Sequence, residues 1–380
     1  ATARGIAVVN APTGNTIAAA EHAFALMMSL SRNIAQADAS MRRGEWTRGK
    51  FMGVELRNKT LGVIGLGKVG SEVAKRAVAF QMHVIAFDPY VNQDHARGMG
   101  VEVVDMDGLL KASDYISIHT PLTAGTKSLI GKPEFAKLKK GVRIINAARG
   151  GLVDEALLDA ALTSGDVAGA ALDVFTSEPA KDLPILENPK LVMTPHLGAS
   201  TEEAQVEVAV EVADQVMAVL AGQAAPYTIN VPFVPAAVRE TLSPYIPVAT
   251  TMGRLAIQLS DGQLDSVAIK IGGDIAEFDS AILGAAAFVG VLGEASDVRV
   301  NLVNATPIAR ERGINLVQER DSEALGVYAN FVGVEVRTSA GKVSLVGTSV
   351  SGRVHLLRIN DFYLDMEPSA PYMLFTTQVD

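Results

Sequence analysis

The sequence predicts an α/β fold, a parallel sheet wound with helices on both faces, followed by a separate α+β domain. Three observations predict it. Short β-branched runs alternate with helical stretches between residues 60 and 195. A glycine-punctuated turn, GLGKVG at 65–70, joins the first of those strands to the first of those helices. Past AAPYTINVPFVP at 224–235, the alternation gives way to two helices and then to period-two strands.

In chain order, the loop NAPTGNT leads into 16–32, rich in Ala, Leu and Met, which reads as a long helix. A basic, polar connector with the only tryptophan, Trp46, covers 41–51. Strands are expected at 61–65, 83–87, 101–104, 115–118, 142–146, 169–173 and 190–194, with helices at 68–80, 105–111 and 154–164. Right-handed crossovers between such strands give a sheet covered on both sides. A long amphipathic helix over 200–221 opens on STEEAQ, where Ser200 or Thr201 with a following glutamate is an N-cap signature. Beyond the proline-marked boundary, helices are expected near 238–261 and 279–292, then strands in KVSLVGTSV and VHLLRIN. GTSVSG at 347–352 lacks the spacing of a nucleophile elbow and reads as a strand end and turn.

Composition excludes several function classes. With 380 residues the chain can hold two or three domains, and 48% hydrophobic with 20% charged residues fits a globular protein. A net charge of −9 argues against nucleic acid as main partner. The absence of cysteine removes disulfides, thiolate metal sites and a cysteine nucleophile, and no metal site is expected. The most apolar run, SAILGAAAFVGVLG at 280–293, is too short to span a bilayer and reads as a buried helix. The opening ATARGIAVVNAP has no initiator methionine and PYMLFTTQVD stops within a strand-like run, so the chain is expected to be a fragment.

The glycine turn suits a phosphate grip. Gly65 permits the tight turn, Gly67 lets backbone approach a pyrophosphate, and Gly70 lets helix pack on strand, with the helix N-terminus facing the anion. Glycines also occupy ordinary strand-to-helix turns, so the neighbours matter. Asp88 closes the second strand at the spacing that bonds ribose hydroxyls, although Asp-Pro also starts turns. An acid there favours NAD over a 2′-phosphorylated cofactor. Later strands end in HTPLT (His119, Thr120), NAARGG (Arg149), LDVFTSEP (Asp173, Glu178) and TPHLGAST (His196). In an open parallel sheet these carboxyl ends share one face. Arginine offers a carboxylate a planar charged fork, histidine can take a hydroxyl proton, and a carboxylate beside it stabilises the imidazolium. That trio fits hydride transfer at a 2-hydroxy acid; singly, the three also read as a cap or surface pair, a solvated loop charge and a loop histidine.

Together GLGKVG, AARGG–VDE–AL, ALDVFTSEP and TPHLGAST resemble the D-isomer-specific 2-hydroxyacid dehydrogenases. The resemblance implies a Rossmann-type fold and NAD as cofactor. It places the catalytic residues on Arg149, Glu178 and His196. It places cofactor contacts on Gly65, Gly67, Lys68, Val69, Gly70, Asp88, Thr120, Ala147, Ala148, Arg149, Asp173, His196, Leu197, Gly198 and Ala199. Asp173 is implied to bind the nicotinamide carboxamide. His119 receives no role, and Arg48 matches a position that can reach a neighbouring subunit's substrate phosphate.

The tail past residue 235 resembles that of the family's long members, which oxidise 3-phospho-D-glycerate to 3-phosphohydroxypyruvate on the phosphorylated route to serine. This implies a cytoplasmic homo-oligomer, dimer or tetramer, with no nucleic-acid or membrane partner. Alternatives are another 2-hydroxy acid, as in hydroxypyruvate and glyoxylate reductases, or a non-catalytic dinucleotide sensor. The implied domains are a remnant of the substrate-binding domain over 1–12 and 197–228 and the NAD-binding domain over 13–196. An intervening domain of the allosteric substrate-binding type follows over 229–370, and the first strand of a truncated ACT domain over 371–380.

Overall fold

A computed structural model describes residues 1–221, 225–232, 234, 236–293, 296, 298–321 and 327–368. The expected ACT strand at 371–380 lies outside the described residues. The chain forms two compact units, Ala11–Glu211, and Ala1–Asn10 together with the chain from Val212 onward.

The first unit begins with α1 (Thr16–Arg32), which ends at Asn33 in the left-handed conformation, and α2 (Ile34–Arg42). Then come β1 (Thr60–Ile64), α3 (Lys68–Ala79), β2 (His83–Phe87), α4 (Gln93–Gly98), β3 (Val101–Val103), α5 (Met106–Ala112) and β4 (Tyr115–Ile118). The unit continues with α6 (Lys132–Phe135), β5 (Val142–Asn146), α7 (Glu155–Ser164), β6 (Val167–Leu172) and β7 (Leu191–Met193). The helix α8 (Glu202–Leu220) follows, and Thr201 caps it by accepting the Ala204 N–H at 3.1 Å. The seven strands lie in the order β3-β2-β1-β4-β5-β6-β7 and every pairing is parallel.

The order reverses between β1 and β4, which opens a crevice at their carboxyl ends. Central strands are apolar on both faces because helices cover both. One buried cluster gathers α1 and α3 around Met27, Leu61, Val73 and Ile145, and the other gathers α5 and α7 around Ile64, Leu109, Ile144 and Leu158.

The second unit contains α9 (Ala236–Leu242), α10 (Tyr245–Gln258), β8 (Leu264–Gly272), α11 (Ala281–Leu292), α12 (Ala305–Glu311) and β9 (Asn315–Asp321). Strands β10 (Phe331–Thr338), β11 (Gly341–Val350), β12 (Arg353–Ile359) and β13 (Phe362–Met366) complete it. They form a six-stranded sheet, β13-β12-β11-β10-β8-β9, antiparallel except for β8 with β9. Val248, Met252, Leu283 and Phe288 of α10 and α11 pack on Val267, Ile269, Val334 and Leu345 of the sheet. The apolar run at 280–293 is the buried α11, and among the described residues no helix is long and apolar enough to cross a membrane. In the same unit the N-terminal segment pairs with the chain after α8: Val9 bridges Thr228 and the Ile229 N–H donates to the Val8 carbonyl.

The expected elements of the first unit lie within two residues of the observed ones. The single helix expected over 238–261 is instead α9 and α10, broken at Ser243–Pro244, because Pro244 has no N–H and serves as the N-cap of α10. Sequence periodicity also passes over α2, α4, α6, α12 and strands β8, β9, β10 and β13.

Candidate active site

The glycine turn has the geometry its sequence predicts. Gly65 takes φ 91°, and a Cβ there would lie 2.8 Å from the His119 carbonyl oxygen. A Cβ on Gly70 would sit 2.0 Å from the Gly65 carbonyl oxygen, so only glycine lets α3 start so close to β1. A Cβ on Gly67 would meet no atom within 4 Å. That face of the turn is open, and Lys68 and Val69 begin the helix whose first amides point into it.

Asp88 follows β2 and accepts the Leu66 N–H at 2.8 Å through Oδ2 and the Tyr90 N–H at 2.8 Å through Oδ1. It thus braces the turn, while each oxygen keeps a lone pair for a ribose hydroxyl. Across the crevice, the Thr120 hydroxyl is buried without a hydrogen-bond partner among the described residues. A buried hydroxyl left unpaired costs about 1–3 kcal/mol. An orphan donor beside an open, Cβ-free cradle at a helix N-terminus fits a dinucleotide.

The catalytic candidates come from three neighbouring strands. After β5, the buried Asn146 folds its side chain over the next turn, accepting from the Ala148 N–H at 3.1 Å and donating to the Arg149 carbonyl at 2.9 Å. This pins Ala147–Arg149. Among the described residues the Arg149 guanidinium reaches only the Ala148 carbonyl, at 2.6 Å, and Arg149 is exposed. Gly150 presses on the loop after β6: a Cβ there would lie 1.9 Å from the Phe175 carbonyl oxygen. That loop carries Glu178, whose Oε1 accepts the Phe175 N–H at 3.1 Å.

After β7, His196 donates Nδ1–H to Glu178 Oε2 at 2.7 Å, the direction a carboxylate acceptor imposes on the ring. This leaves Nε2 facing outward. The bond from His196, with that from the Phe175 N–H, holds the Glu178 carboxyl below its ordinary range. His196 has φ 58°, a left-handed conformation that costs a non-glycine residue on the order of 1 kcal/mol. The pair lines a hollow of about 410 Å³ with Phe175, Leu186, Met193 and Pro195. The structure therefore joins Glu178 to His196 directly. Arg149 makes no ion pair with either among the described residues, and its loop meets the Glu178 loop through the Gly150–Phe175 contact.

Asp173, expected at the nicotinamide carboxamide, is turned inward. It has no exposed surface, and its carboxylate accepts Leu197 N–H at 2.7 Å, Gly198 N–H at 2.8 Å, the Thr194 hydroxyl at 2.6 Å and His22 Nε2 at 3.1 Å. These bonds hold the 196–199 turn, and Asp173 is also among the residues that line the hollow. Burial pushes its carboxyl up, and these four donors outweigh burial and keep it low, hence ionised.

His119, given no role, bonds Ser117 at 2.8 Å through Nε2, and burial pushes its imidazole down to about 4. Sequence reading missed Asn146 and His22. The signals were there: a polar residue closing an apolar strand, and a lone imidazole in an Ala-, Leu- and Met-rich helix. Among the described residues no group of His, Asp and Glu is arranged to hold a metal.

The chain is similar to known proteins along most of its length. Residues 24–198 match the NAD binding domain of the D-isomer specific 2-hydroxyacid dehydrogenases, and residues 241–360 match the D-3-phosphoglycerate dehydrogenase intervening domain. The chain is 43% identical to D-3-phosphoglycerate dehydrogenase of Synechocystis sp., over 100% of this chain and 69% of that protein. Its identity to the Bacillus subtilis D-3-phosphoglycerate dehydrogenase is 42%, over 97% of this chain and 70% of that one. It thus spans somewhat over two thirds of the length of these relatives. D-lactate dehydrogenase of Aquifex aeolicus, solved with NAD and lactic acid, superposes with a TM-score of 0.56 at 30% identity, covering 60% of this chain and 74% of that one. By its glycine turn, its His–Glu pair and these likenesses, the chain belongs to the D-isomer-specific 2-hydroxyacid dehydrogenases, in the branch that carries the D-3-phosphoglycerate dehydrogenase intervening domain.

Proposed function

We propose that the protein interconverts 3-phospho-D-glycerate and 3-phosphohydroxypyruvate with NAD. The observation that carries the chemistry is the 2.7 Å bond between His196 Nδ1 and Glu178 Oε2, which leaves Nε2 for the substrate hydroxyl. The relatives' activity and the match to the intervening domain support the choice of substrate.

NAD, when bound, supplies the acceptor for the hydride that leaves the substrate's second carbon. As that C–H bond breaks, His196 Nε2 takes the hydroxyl proton and the carbonyl forms. Glu178, still a carboxylate at neutral pH, balances the imidazolium and keeps the ring in one orientation. The Arg149 fork grips the substrate carboxylate. In the reverse direction the protonated His196 returns its proton to the oxygen.

In the same reading Gly65, Gly67, Lys68, Val69 and Gly70 cradle the pyrophosphate, Asp88 holds the ribose, and Thr120, Ala147–Arg149 and His196–Ala199 approach the cofactor's other half. Exposed Ile34, Met41, Trp46 and Met52 around the basic connector support a homo-oligomer. The pairing of Val9 with Thr228 supports grouping the start of the chain with the segment after α8.

Steady-state rates of the intact protein with 3-phosphohydroxypyruvate, hydroxypyruvate and glyoxylate test the substrate. The expected kcat/KM is highest for the phosphorylated acid, and a preference for either unphosphorylated acid overturns the choice.

A further inference from the structure

Beneath the turn that presents His196 lies a polar knot centred on Asp173, with a donor, His22, to which the reaction scheme gives no part. Asp173 is fully buried, and its donors come from two directions. Thr194, Leu197 and Gly198 belong to the His196 loop itself. The remaining donor, His22, comes from the middle of α1, which packs across β6 and β7.

The local chemistry settles the state of the ring. Thr194 gives its hydroxyl proton to Asp173 Oδ1, and His22 Nε2 lies 3.0 Å from Thr194 Oγ1 and 3.1 Å from Oδ1. A bare lone pair at Nε2 would face an acceptor, so Nε2 carries hydrogen and donates. Hydrophobic packing alone accounts for the neighbours of His22 on the helix, Ala18, Ala23 and Leu26, which are buried. It gives no reason for an imidazole between them. The reason is Asp173, a buried carboxylate that needs its donors. Titratable groups around that carboxylate are His22 from α1 and Glu178 and His196 from the strand-end loops.

What Asp173 holds is strained. His196 sits at φ 58°, and its own N–H donates to the Asp173 carbonyl at 2.9 Å. Such a conformation persists only where its surroundings over-determine it. We propose that His22 is a positioning residue of the dehydrogenase reaction. Acting through Asp173 from outside the substrate-facing loops, it locks the Thr194–Gly198 turn so that His196 stays aimed and bonded to Glu178. This rests on the dehydrogenase reading above.

The test uses three variants of the intact protein, H22Q, H22N and H22L, assayed for reduction of 3-phosphohydroxypyruvate with NADH across pH. NADH affinity and thermal stability are followed at each pH. Gln places an amide N–H where Nε2 stood, whereas Asn places it nearer Nδ1, out of reach of Asp173. H22L and H22N are expected to lose kcat by about ten- to a hundredfold, the scale of a sub-ångström to ångström misplacement of a reacting group, a larger loss than any in NADH affinity. They are also expected to show a fall in kcat toward acid pH that the wild type lacks, as Asp173 takes up a proton and releases the turn. H22Q is expected to restore both the rate and the flat acid limb.

A structural role alone would lower thermal stability without a new acid limb. Wild-type kcat and pH profile in H22L, or an H22Q as impaired as H22N, overturns the proposal. Should H22L not fold, the Gln–Asn pair decides. A wild type that reduces no 2-oxo acid overturns the dehydrogenase reading and this inference with it, whereas an active wild type with indifferent variants overturns the inference alone.

Discussion

Gly150→Ala tests whether the arginine turn and the Glu178 loop work as one body. A Cβ at Gly150 would lie 1.9 Å from the Phe175 carbonyl oxygen, 2.1 Å from the Phe175 carbonyl carbon and 2.7 Å from the Thr176 nitrogen, all backbone atoms. None of them can swing aside as a side-chain tip could. Ordinary van der Waals contact begins near 3.4 Å, so the two loops must part by about 1.5 Å. One loop carries Arg149, pinned by Asn146, and the other carries Glu178. The displacement therefore falls between the group proposed to grip the acid and the pair proposed to move the proton. An ångström of misplacement costs on the order of a hundredfold in rate, and the overlap itself about 1–3 kcal/mol of stability. The glycine turn lies on other strands and is untouched. The expected result is a kcat/KM for 3-phosphohydroxypyruvate reduced about a hundredfold or more, with a smaller loss of NADH affinity, followed by its own fluorescence, because the glycine turn stays in place. A G150A protein with wild-type kcat/KM would refute the coupling of the two loops.

His196→Gln keeps a polar side chain but cannot take a proton, so turnover is expected to vanish while NADH affinity stays; unimpaired catalysis removes His196 as acid/base. Thr120→Val deletes a buried hydroxyl that has no partner among the described residues. Thermal stability should hold or rise, while NADH affinity falls by about tenfold at most; equal loss of both would contradict a hydroxyl reserved for the cofactor. His119 is held neutral, its imidazole lowered to about 4 from an ordinary 6.5 by burial. The unfolded chain therefore binds a proton that the folded one refuses, and stability is lost as pH falls from 6.5 toward 4, by about 2 kcal/mol at pH 5. Denaturant titration of H119Q, which can still bond Ser117, should show that part of the acid loss gone, and an unchanged pH slope would mean that His119 titrates normally.

Much of the first unit could be read directly because its signals are local. Parallel strands buried on both faces are continuous apolar runs, glycines are obligatory where Gly65 turns and Gly70 meets it, and a threonine stands where α8 needs its cap. The second unit was harder. Strands β8, β9 and β10 are paired over long sequence separations, as Val267 is with Leu316 and Val336, and such partners leave no mark within a short window. The break at Pro244 shows a local signal overlooked within a long helical pattern.

At the site, residue types alone determined the chemistry available: a guanidinium, a carboxylate and an imidazole after the ends of three strands, in a chain that also carries a glycine-rich strand-to-helix turn. Tertiary structure decided how they are used. It joined Glu178 to His196 from chain positions 18 apart, gave Arg149 no ion pair with either among the described residues, and set the Asp173 carboxylate beneath the 196–199 turn with a donor from α1. The reason is that a carboxylate's role depends on which donors the fold brings to its oxygens, and the His22 donor comes from 151 residues away, across a sheet that exists only once the chain has folded.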